Sequence, residues 1–262
     1  MFKGIKQDLK DIYDSRNILR ALIVKDLFGR YRNSALGFLW HFVLPLVMMV
    51  VYYIAFSTIR ATPISDFWIY LSSGLFPFVF MTSNLTRGAG SITSNAGMVK
   101  KMYFPRSILV LSEVISSFIV MLMGYCVILV IIVVSGHQLG ISIVLLPIIM
   151  IAMAVFVTGY VLVLSALNVY ARDVQHLLNS VSMVFYFITP MYFMMSDLSG
   201  LFQKIVMLNP FTYYVEAYHQ IVYSGVMPDT FILLMCLLMP PVSIVLGVIV
   251  FCKLRHGFAE RL

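Results

Sequence analysis

Three arginines have side chains suited to binding a phosphate group, because a planar guanidinium can donate two parallel hydrogen bonds to an anion. Arg30 and Arg32 precede the first long apolar run of the chain, and Arg87 follows the second. Such a cluster could bind an anionic group at a membrane surface. The alternative is that they only orient the protein, since positive residues gather beside apolar runs for that reason alone.

Aromatic side chains form a second candidate set, because a sugar ring can stack its C–H face on an aromatic plane. Tyr52 and Phe56 are one helical turn apart, and Tyr186 and Phe193 would share one face of the fifth apolar run with Pro190. The candidates for lining a channel are Trp40, Tyr52, Phe56, Tyr186 and Phe193. The alternative is a membrane-interface belt of Trp and Tyr, with Phe facing lipid.

A third set lies between the second and third apolar runs, where residues 95–106 have the length of a short helix lying across the membrane plane. Lys100 and Lys101 are accompanied there by an apolar group, namely Met98, Met102, Tyr103 and Phe104. A loop that only fixes orientation does not need such a surface, whereas a docking site for a partner protein does. We expect these six residues to contact a partner, with the orientation loop as the alternative.

Residues suited to catalysis or metal binding are sparse. The histidines show no HExxH spacing, the cysteines show no CxxC spacing, and no apolar run holds a pair of carboxylates. The pattern GxxxxGK[ST], which cradles nucleotide phosphates, does not occur. We therefore expect neither metal, cofactor nor ATP on this chain. Glu113 lies in the third apolar run, where an acid is costly, and we expect it to pair with Arg106 or Arg172.

These residues must be positioned by membrane helices. With 61% hydrophobic and 11% charged residues and a mean hydropathy of +0.96, the 262-residue chain cannot cover a water-soluble globule. Its net charge of +7 lies beside apolar runs, which argues against a nucleic-acid partner. A helix needs about 20 residues to cross about 30 Å of hydrocarbon. Six runs approach this length: residues 38–59, 67–86, 108–134, 141–167, 177–195 and 230–252.

The expected fold is an all-α membrane protein with six transmembrane helices in a single domain, residues 1–262, that begins with a cytoplasmic interface segment, residues 1–37. Sixteen Lys and Arg residues fall on one side of the six runs and two, Arg60 and Lys204, fall on the other. Because positive residues are retained in the cytoplasm, we expect both termini there.

Two further helical features are expected outside the spans. Ile5, Leu9 and Ile12 recur at helical spacing among charged residues, which predicts an amphipathic helix on the membrane surface; a solvated leader is the alternative. The external stretch Ser196–Asp229 is apolar and is broken at Asn209 and Pro210, which predicts a re-entrant helical hairpin. The hairpin is a candidate exit path, and a purely structural lid is equally compatible with the pattern.

Several motifs resemble the membrane (permease) subunits of bacterial and archaeal ABC exporters for polysaccharides, the type-2 ABC transporter family that serves O-antigen, capsule and teichoic acid. They run in order along the chain, at residues 25–40, 70–77, 100–106, 168–176, 189–192, 209–213 and 258–262. Two positions depart from the family's pattern: His219 stands where a basic residue is expected, and Val110 where proline is frequent.

The resemblance implies a homodimer around a central channel, paired with two copies of a separate P-loop ATPase that binds the ATP and magnesium. It implies a lipid-linked polysaccharide as substrate, whose phosphate or diphosphate head group Arg30, Arg32 and Arg87 are expected to receive, and the cytoplasmic membrane, with its lipid, as location. The segment of residues 95–106 is then the coupling helix of the family.

Three other functions fit part of the sequence. An ABC exporter of a drug or small lipid would share the same architecture. An intramembrane polyprenol-linked glycosyltransferase or acyltransferase would need catalytic acids or histidines near a large polar loop, and the largest loop has only Asp197, Glu216 and Asp229. A secondary transporter would need buried ionisable residues for its coupling ions, which are nearly absent.

The expected orientation can be tested by cysteine labelling in a chain whose native Cys126, Cys236 and Cys252 are replaced by serine. We expect Lys100→Cys to resist a membrane-impermeant maleimide in intact spheroplasts and to react after permeabilisation. The matched variant Lys204→Cys should react in intact spheroplasts. Labelling of position 100 from outside would invert the topology.

Overall fold

The structure is a computed structural model of the chain, and it describes residues 10–29, 39–59, 64–102 and 104–262. Several residues singled out by the sequence lie outside these ranges: Ile5 and Leu9 of the expected surface helix, Arg30, Arg32, Tyr103 and the start of the first expected span at residue 38. Residues 10–14 of the expected surface helix are helical.

The described residues form helices joined by short connections and contain no strand. In chain order the α-helices are α1 (Arg16–Gly29), α2 (Trp40–Ile59), α3 (Phe67–Ser83), α4 (Ala96–Lys101), α5 (Ser107–Val134), α6 (Leu146–Tyr170), α7 (Asp173–Ile188), α8 (Gly200–Leu208), α9 (Pro210–Tyr218), α10 (Thr230–Leu254) and α11 (Phe258–Arg261). Two π-helical turns, Asn84–Gly88 and His219–Tyr223, prolong α3 and α9.

Three helical segments among the described residues are long and apolar enough to cross a membrane: Ser107–Val134, Ile141–Tyr170 and Thr230–Gly257. The shorter stretch Pro45–Phe56 of α2 is also apolar. Large apolar side chains are exposed along these helices, among them Val130, Ile151 and Val242. Such a surface is unfavourable in water and suits hydrocarbon, so the chain is a multi-pass helical membrane protein.

The fifth expected span is wrong in its bounds. The sequence pattern places it at 177–195, whereas α7 starts at Asp173 and ends at Ile188. Thr189 has extended backbone angles, φ −94° and ψ 135°, because the ring of Pro190 disfavours a helical residue before it. Phe193 therefore lies beyond the helix and does not share a face with Tyr186.

Helix α3 is the centre of the molecule. Thirteen of its seventeen residues are buried, including the polar pair Ser72 and Ser73, so the helix is surrounded by other helices on nearly every side. Asn84 and Gly88 of the following π turn are buried as well. The polar groups needed inside the membrane are concentrated on this one element.

Helices α6 and α10 approach closely where both carry small residues. A Cβ atom built on Gly159 would lie 2.2 Å from Oγ of Ser243, and one built on Gly247 would lie 2.4 Å from the carbonyl oxygen of Gly159. Ser243 uses its hydroxyl to donate a hydrogen bond to the carbonyl of Phe156 at 2.8 Å. Close backbone approach at small residues is the usual means of association between helices in lipid.

Gly159→Ala should therefore destabilise the protein, although alanine is the better helix former, because its methyl group collides with Ser243. We expect a loss of about 1–3 kcal/mol, the usual cost of overpacking. The measurement is thermal unfolding in detergent, and Gly97→Ala is the control, because nothing lies within 4 Å of its added Cβ. A Gly159→Ala protein as stable as the wild type would show that the two helices do not pack as described.

Candidate functional site

A cavity of about 330 Å³ opens between α1, α2, α3 and α5 near the cytoplasmic ends assigned by charge. Its volume is at the lower end of the range of about 300–1,000 Å³ for small-molecule sites. One part of the lining is polar and the other apolar. The residues are Asp26, Leu27, Trp40, Pro45, Phe76, Val79, Phe80, Ser83, Thr86, Arg87, Glu113, Ser116, Ser117, Val120 and Met121.

Arg87 is carried by the π turn at the end of α3. A π turn adds one residue to a helical turn and is frequent at functional sites. Gly88 lets the turn press against α6, because a Cβ there would lie 2.7 Å from a methyl carbon of Val161. On the other side Gln175 donates a hydrogen bond from Nε2 to the carbonyl of Thr86 at 2.6 Å. The position of Arg87 is thus set by contacts with α6 and α7.

Arg87 and Glu113 form a loose ion pair in the cavity wall, with 3.6 Å between Nε and Oε1. This distance exceeds that of a hydrogen bond, and the buried Nε of Arg87 has no hydrogen-bond partner among the described residues. The side chain of Arg87 is 37% exposed, and that of Glu113 is 13% exposed. The guanidinium is therefore close to a negative charge and still has a donor to offer.

The expectation that Glu113 pairs with Arg106 or Arg172 is wrong, because the structure pairs it with Arg87. Arg106 instead donates a hydrogen bond to the carbonyl of Arg255 and lies over the ring of Phe258. Arg172 is exposed at the start of α7.

Hydroxyl groups continue the polar side of the cavity. Ser117 receives a hydrogen bond from Nδ2 of Asn84 at 2.9 Å, which joins α5 to the π turn. Ser83 and Thr86 line the same cavity, while Trp40, Phe76 and Met121 are part of its apolar wall. The lining thus combines charged and hydrogen-bonding groups with an apolar wall.

A cluster of aromatic rings lies between α2 and the end of α7. Tyr52 is 5.4 Å from Tyr186 and 5.1 Å from Tyr192, measured between ring centroids, and Phe56 stacks on Tyr192 at 4.4 Å. Phe78 of α3 contacts Tyr186 at 5.5 Å. The hydroxyl of Tyr186 is buried and has no hydrogen-bond partner within the described part of the chain.

Three of the five aromatic residues chosen from the sequence are therefore neighbours, and two are not. Trp40 lies in the cavity wall near Arg87, and Phe193 contacts Phe202 of α8 at 5.8 Å. The sequence reasoning missed Tyr192 as a member of the cluster. The sequence feature that indicates the position of Tyr192 is Pro190, which ends α7 and turns the following residues back toward α2.

The hairpin of α8 and α9 is fixed to α3 by His219. Its ring stacks on Tyr70 at 3.8 Å, its Nε2 lies 3.0 Å from the carbonyl oxygen of Pro190, and its Nδ1 lies 2.8 Å from Oγ of Ser73. Burial lowers the pKa of His219 to about 3, so the ring is neutral. Because a carbonyl only accepts, Nε2 carries the proton. His219 thus joins three segments, namely the hairpin, α3 and the turn at Pro190.

Helices α8 and α9 meet at Asn209, as the break in the sequence predicts. The side chain of Asn209 accepts a hydrogen bond from the backbone N–H of Phe211 at 3.0 Å and donates one to Thr189 at 2.8 Å. Pro210 takes the first position of α9, where a missing N–H costs nothing. Burial raises the pKa of Glu216 in α9 to about 7.

The segment with Lys100 and Lys101 forms the short helix α4, and both lysines are exposed. Met102 is 53% exposed, Met98 is partly buried, and Phe104 is only 8% exposed. Phe104 packs within its own chain, so the exposed members of this set among the described residues are Lys100, Lys101 and Met102. Lys25 of α1 donates a hydrogen bond to the side chain of Asn95 at 2.9 Å, which holds the start of this segment.

A metal site is not indicated: within the ranges that the structure describes, no three His, Cys, Asp or Glu side chains are grouped as metal ligands. The long apolar helices, the amphipathic cavity and the exposed short helix α4 define a membrane-embedded helical protein.

The chain belongs to the ABC-2 type transporter family, whose model matches residues 18–223. Members of this family are permease subunits, which are membrane components of a transporter and not enzymes. It is 29% identical over 259 residues to the O-antigen export system permease protein RfbA of Klebsiella pneumoniae, covering 98% of each chain. It is 27% identical to the protein of the same description from Myxococcus xanthus, covering 97% of this chain and 98% of that one.

A shorter match links the chain to capsule export. Over 112 residues it is 31% identical to the capsule polysaccharide export inner-membrane protein CtrC of Neisseria meningitidis serogroup B, which is 42% of this chain and 40% of that protein. The resemblance to polysaccharide exporters drawn from the motifs is confirmed by these relatives.

Proposed function

We propose that this chain is the channel-forming subunit of an ABC transporter that exports a lipid-linked polysaccharide across the cytoplasmic membrane. Two copies form the channel, and ATP with magnesium is hydrolysed on two copies of a separate subunit. Six spans, with both termini in the cytoplasm and the hairpin of α8 and α9 dipping into the outer leaflet, complete the arrangement.

The observation that supports this proposal best is the cavity at Arg87. A lipid-linked polysaccharide has a phosphate or diphosphate between its apolar tail and its sugars. Arg87 offers a donor to that phosphate, and the apolar wall of the cavity suits the first part of the tail. Arg30 and Arg32 would add positive charge from the segment just before α2.

The aromatic cluster would guide the sugars toward the outer side. The cluster consists of the rings of Tyr52, Phe56, Tyr186 and Tyr192. Neighbouring ring centroids in it are 4.4 to 5.5 Å apart. Ring faces hold sugars without a fixed set of hydrogen bonds, so a polymer can advance past them. The buried hydroxyl of Tyr186 would form a hydrogen bond with a sugar hydroxyl as the polymer moves past.

Helix α4 would transmit the movement of the ATPase to the channel. Its exposed Lys100, Lys101 and Met102 combine charge and apolar surface, as protein docking sites do. The hydrogen bond between Lys25 and Asn95 links this segment to α1, which lines the cavity. A displacement of α4 would therefore be transmitted to the head-group site through this hydrogen bond and α1.

Tyr186→Leu should slow export, because leucine keeps the apolar volume of the side chain and removes its ring face. We expect a reduction of about 2- to 10-fold, the equivalent of one lost aromatic contact. The measurement is surface polysaccharide in cells whose only copy is the variant, and Phe231→Leu, an exposed aromatic change outside the cluster, is the control. Normal export by Tyr186→Leu would remove the cluster from the path.

The triple variant Lys100→Glu, Lys101→Glu, Met102→Asp should lose its ATPase partner, because charge reversal and loss of the apolar side chain act on one surface. We expect at least tenfold less ATPase to copurify from a co-expressing strain. Lys253→Glu, an exposed charge reversal at the end of α10, should leave the yield unchanged. Full recovery with the triple variant, or no copurifying ATPase with the wild type, would contradict the proposed complex.

A further inference from the structure

The ion pair between Arg87 and Glu113 has a geometry that a purely structural pair does not need. The two atoms are 3.6 Å apart, so the charges attract without a hydrogen bond between Nε and Oε1. Buried polar groups almost always find partners, and an unsatisfied one calls for an explanation such as an absent ligand. The unsatisfied Nε of Arg87 lies in the wall of the cavity, on a guanidinium that also faces solvent.

We propose that Glu113 is an internal counter-ion that occupies Arg87 while the cavity is empty and is displaced when a phosphate-bearing head group binds. The inference rests on the proposed function and assigns Glu113 a role in the release of the ligand. The carboxylate holds the place of the ligand's anion, and the ligand must offer Arg87 a better partner.

A phosphate is that better partner. It presents three oxygens that can accept from the guanidinium in a bidentate manner, whereas the carboxylate contacts Arg87 only loosely in the structure. Because Glu113 is 13% exposed and stays in the cavity wall after displacement, its charge continues to repel the bound anion. Binding is thereby weakened and release made faster.

In the part of the chain that the structure describes, few other charged residues line the cavity around the ion pair. Asp26 of α1 lines the same cavity and has the same sign as Glu113. Ser116 and Ser117, the nearest hydroxyls on α5, donate to the backbone carbonyls of Glu113 and Val114 at 3.0 Å each. Within the described ranges, Arg87 is the one cation of the cavity lining, so Glu113 and a bound anion would compete for it.

The test measures binding of an isoprenoid lipid diphosphate in phosphatidylcholine vesicles to the purified wild type and variants. Glu113→Gln keeps the shape of the side chain and removes its charge, so we expect the affinity for the lipid diphosphate to rise about tenfold. Arg87→Gln should lower affinity by at least tenfold. Asp14→Asn, an exposed carboxylate outside the cavity, controls for net charge.

A second variant guards against loss of folding. Glu113→Asp keeps the charge but shortens the side chain, so its carboxylate lies farther from Arg87 and affinity should rise less than with glutamine. Thermal unfolding of each variant shows whether the fold is intact. A parallel arm with inorganic pyrophosphate and lipid-free protein separates recognition of phosphate alone from recognition of the lipid.

The outcomes separate the counter-ion role of Glu113 from the head-group site at Arg87. If Arg87→Gln weakens binding while Glu113→Gln and Glu113→Asp leave it unchanged or weaken it, the counter-ion role is refuted and the head-group site stands. If Arg87→Gln leaves the lipid affinity unchanged, or only inorganic pyrophosphate binds, the head-group site itself fails. Tighter binding by Glu113→Gln, with a smaller increase for Glu113→Asp, supports the proposal.

Discussion

Hydrocarbon offers no hydrogen bonds, and this constraint arranges the whole molecule. A backbone in that solvent must satisfy itself within helices, and polar side chains must turn inward. The protein concentrates them on α3 and its π turn, where Ser73, Asn84 and Arg87 face other helices. The apolar surfaces of α5, α6 and α10 remain outside. The cavity exists because several polar groups share one interior face.

The same constraint explains why bends in the chain are covered. The break at Thr189 and Pro190 frees backbone groups at the end of α7. Tyr70 donates a hydrogen bond to the carbonyl of Phe193 at 2.7 Å, and His219 donates to the carbonyl of Pro190. The hairpin and α3 therefore stabilise the turn that places Tyr192 against Tyr52 and Phe56. A neutral histidine can do this inside apolar surroundings, where a permanently charged arginine would incur a large desolvation penalty.

Hydropathy and charge alone predict the helices that carry most of this arrangement, because long apolar runs in α5, α6 and α10 have one stable form in lipid. Hydropathy places the end of α7 too late, because residues 191–195 remain apolar after Pro190 although the helix ends before that proline. The pairing of Arg87 with Glu113 was not predictable. It depends on a π turn, which shifts every following side chain by about 100° around the helix axis, and on the crossing of α3 with α5.

A transport site must bind and also let go, and this requirement accounts for the incomplete pairing at Arg87. A guanidinium held by two good hydrogen bonds to a buried carboxylate would be stable and closed to other anions. One with no counter-charge nearby would be costly to bury and would retain any phosphate that reached it. The distance of 3.6 Å to Glu113 lies between these extremes. Since Gln175 and Gly88 fix the π turn from outside the cavity, the guanidinium can change partners without moving the helices that hold it.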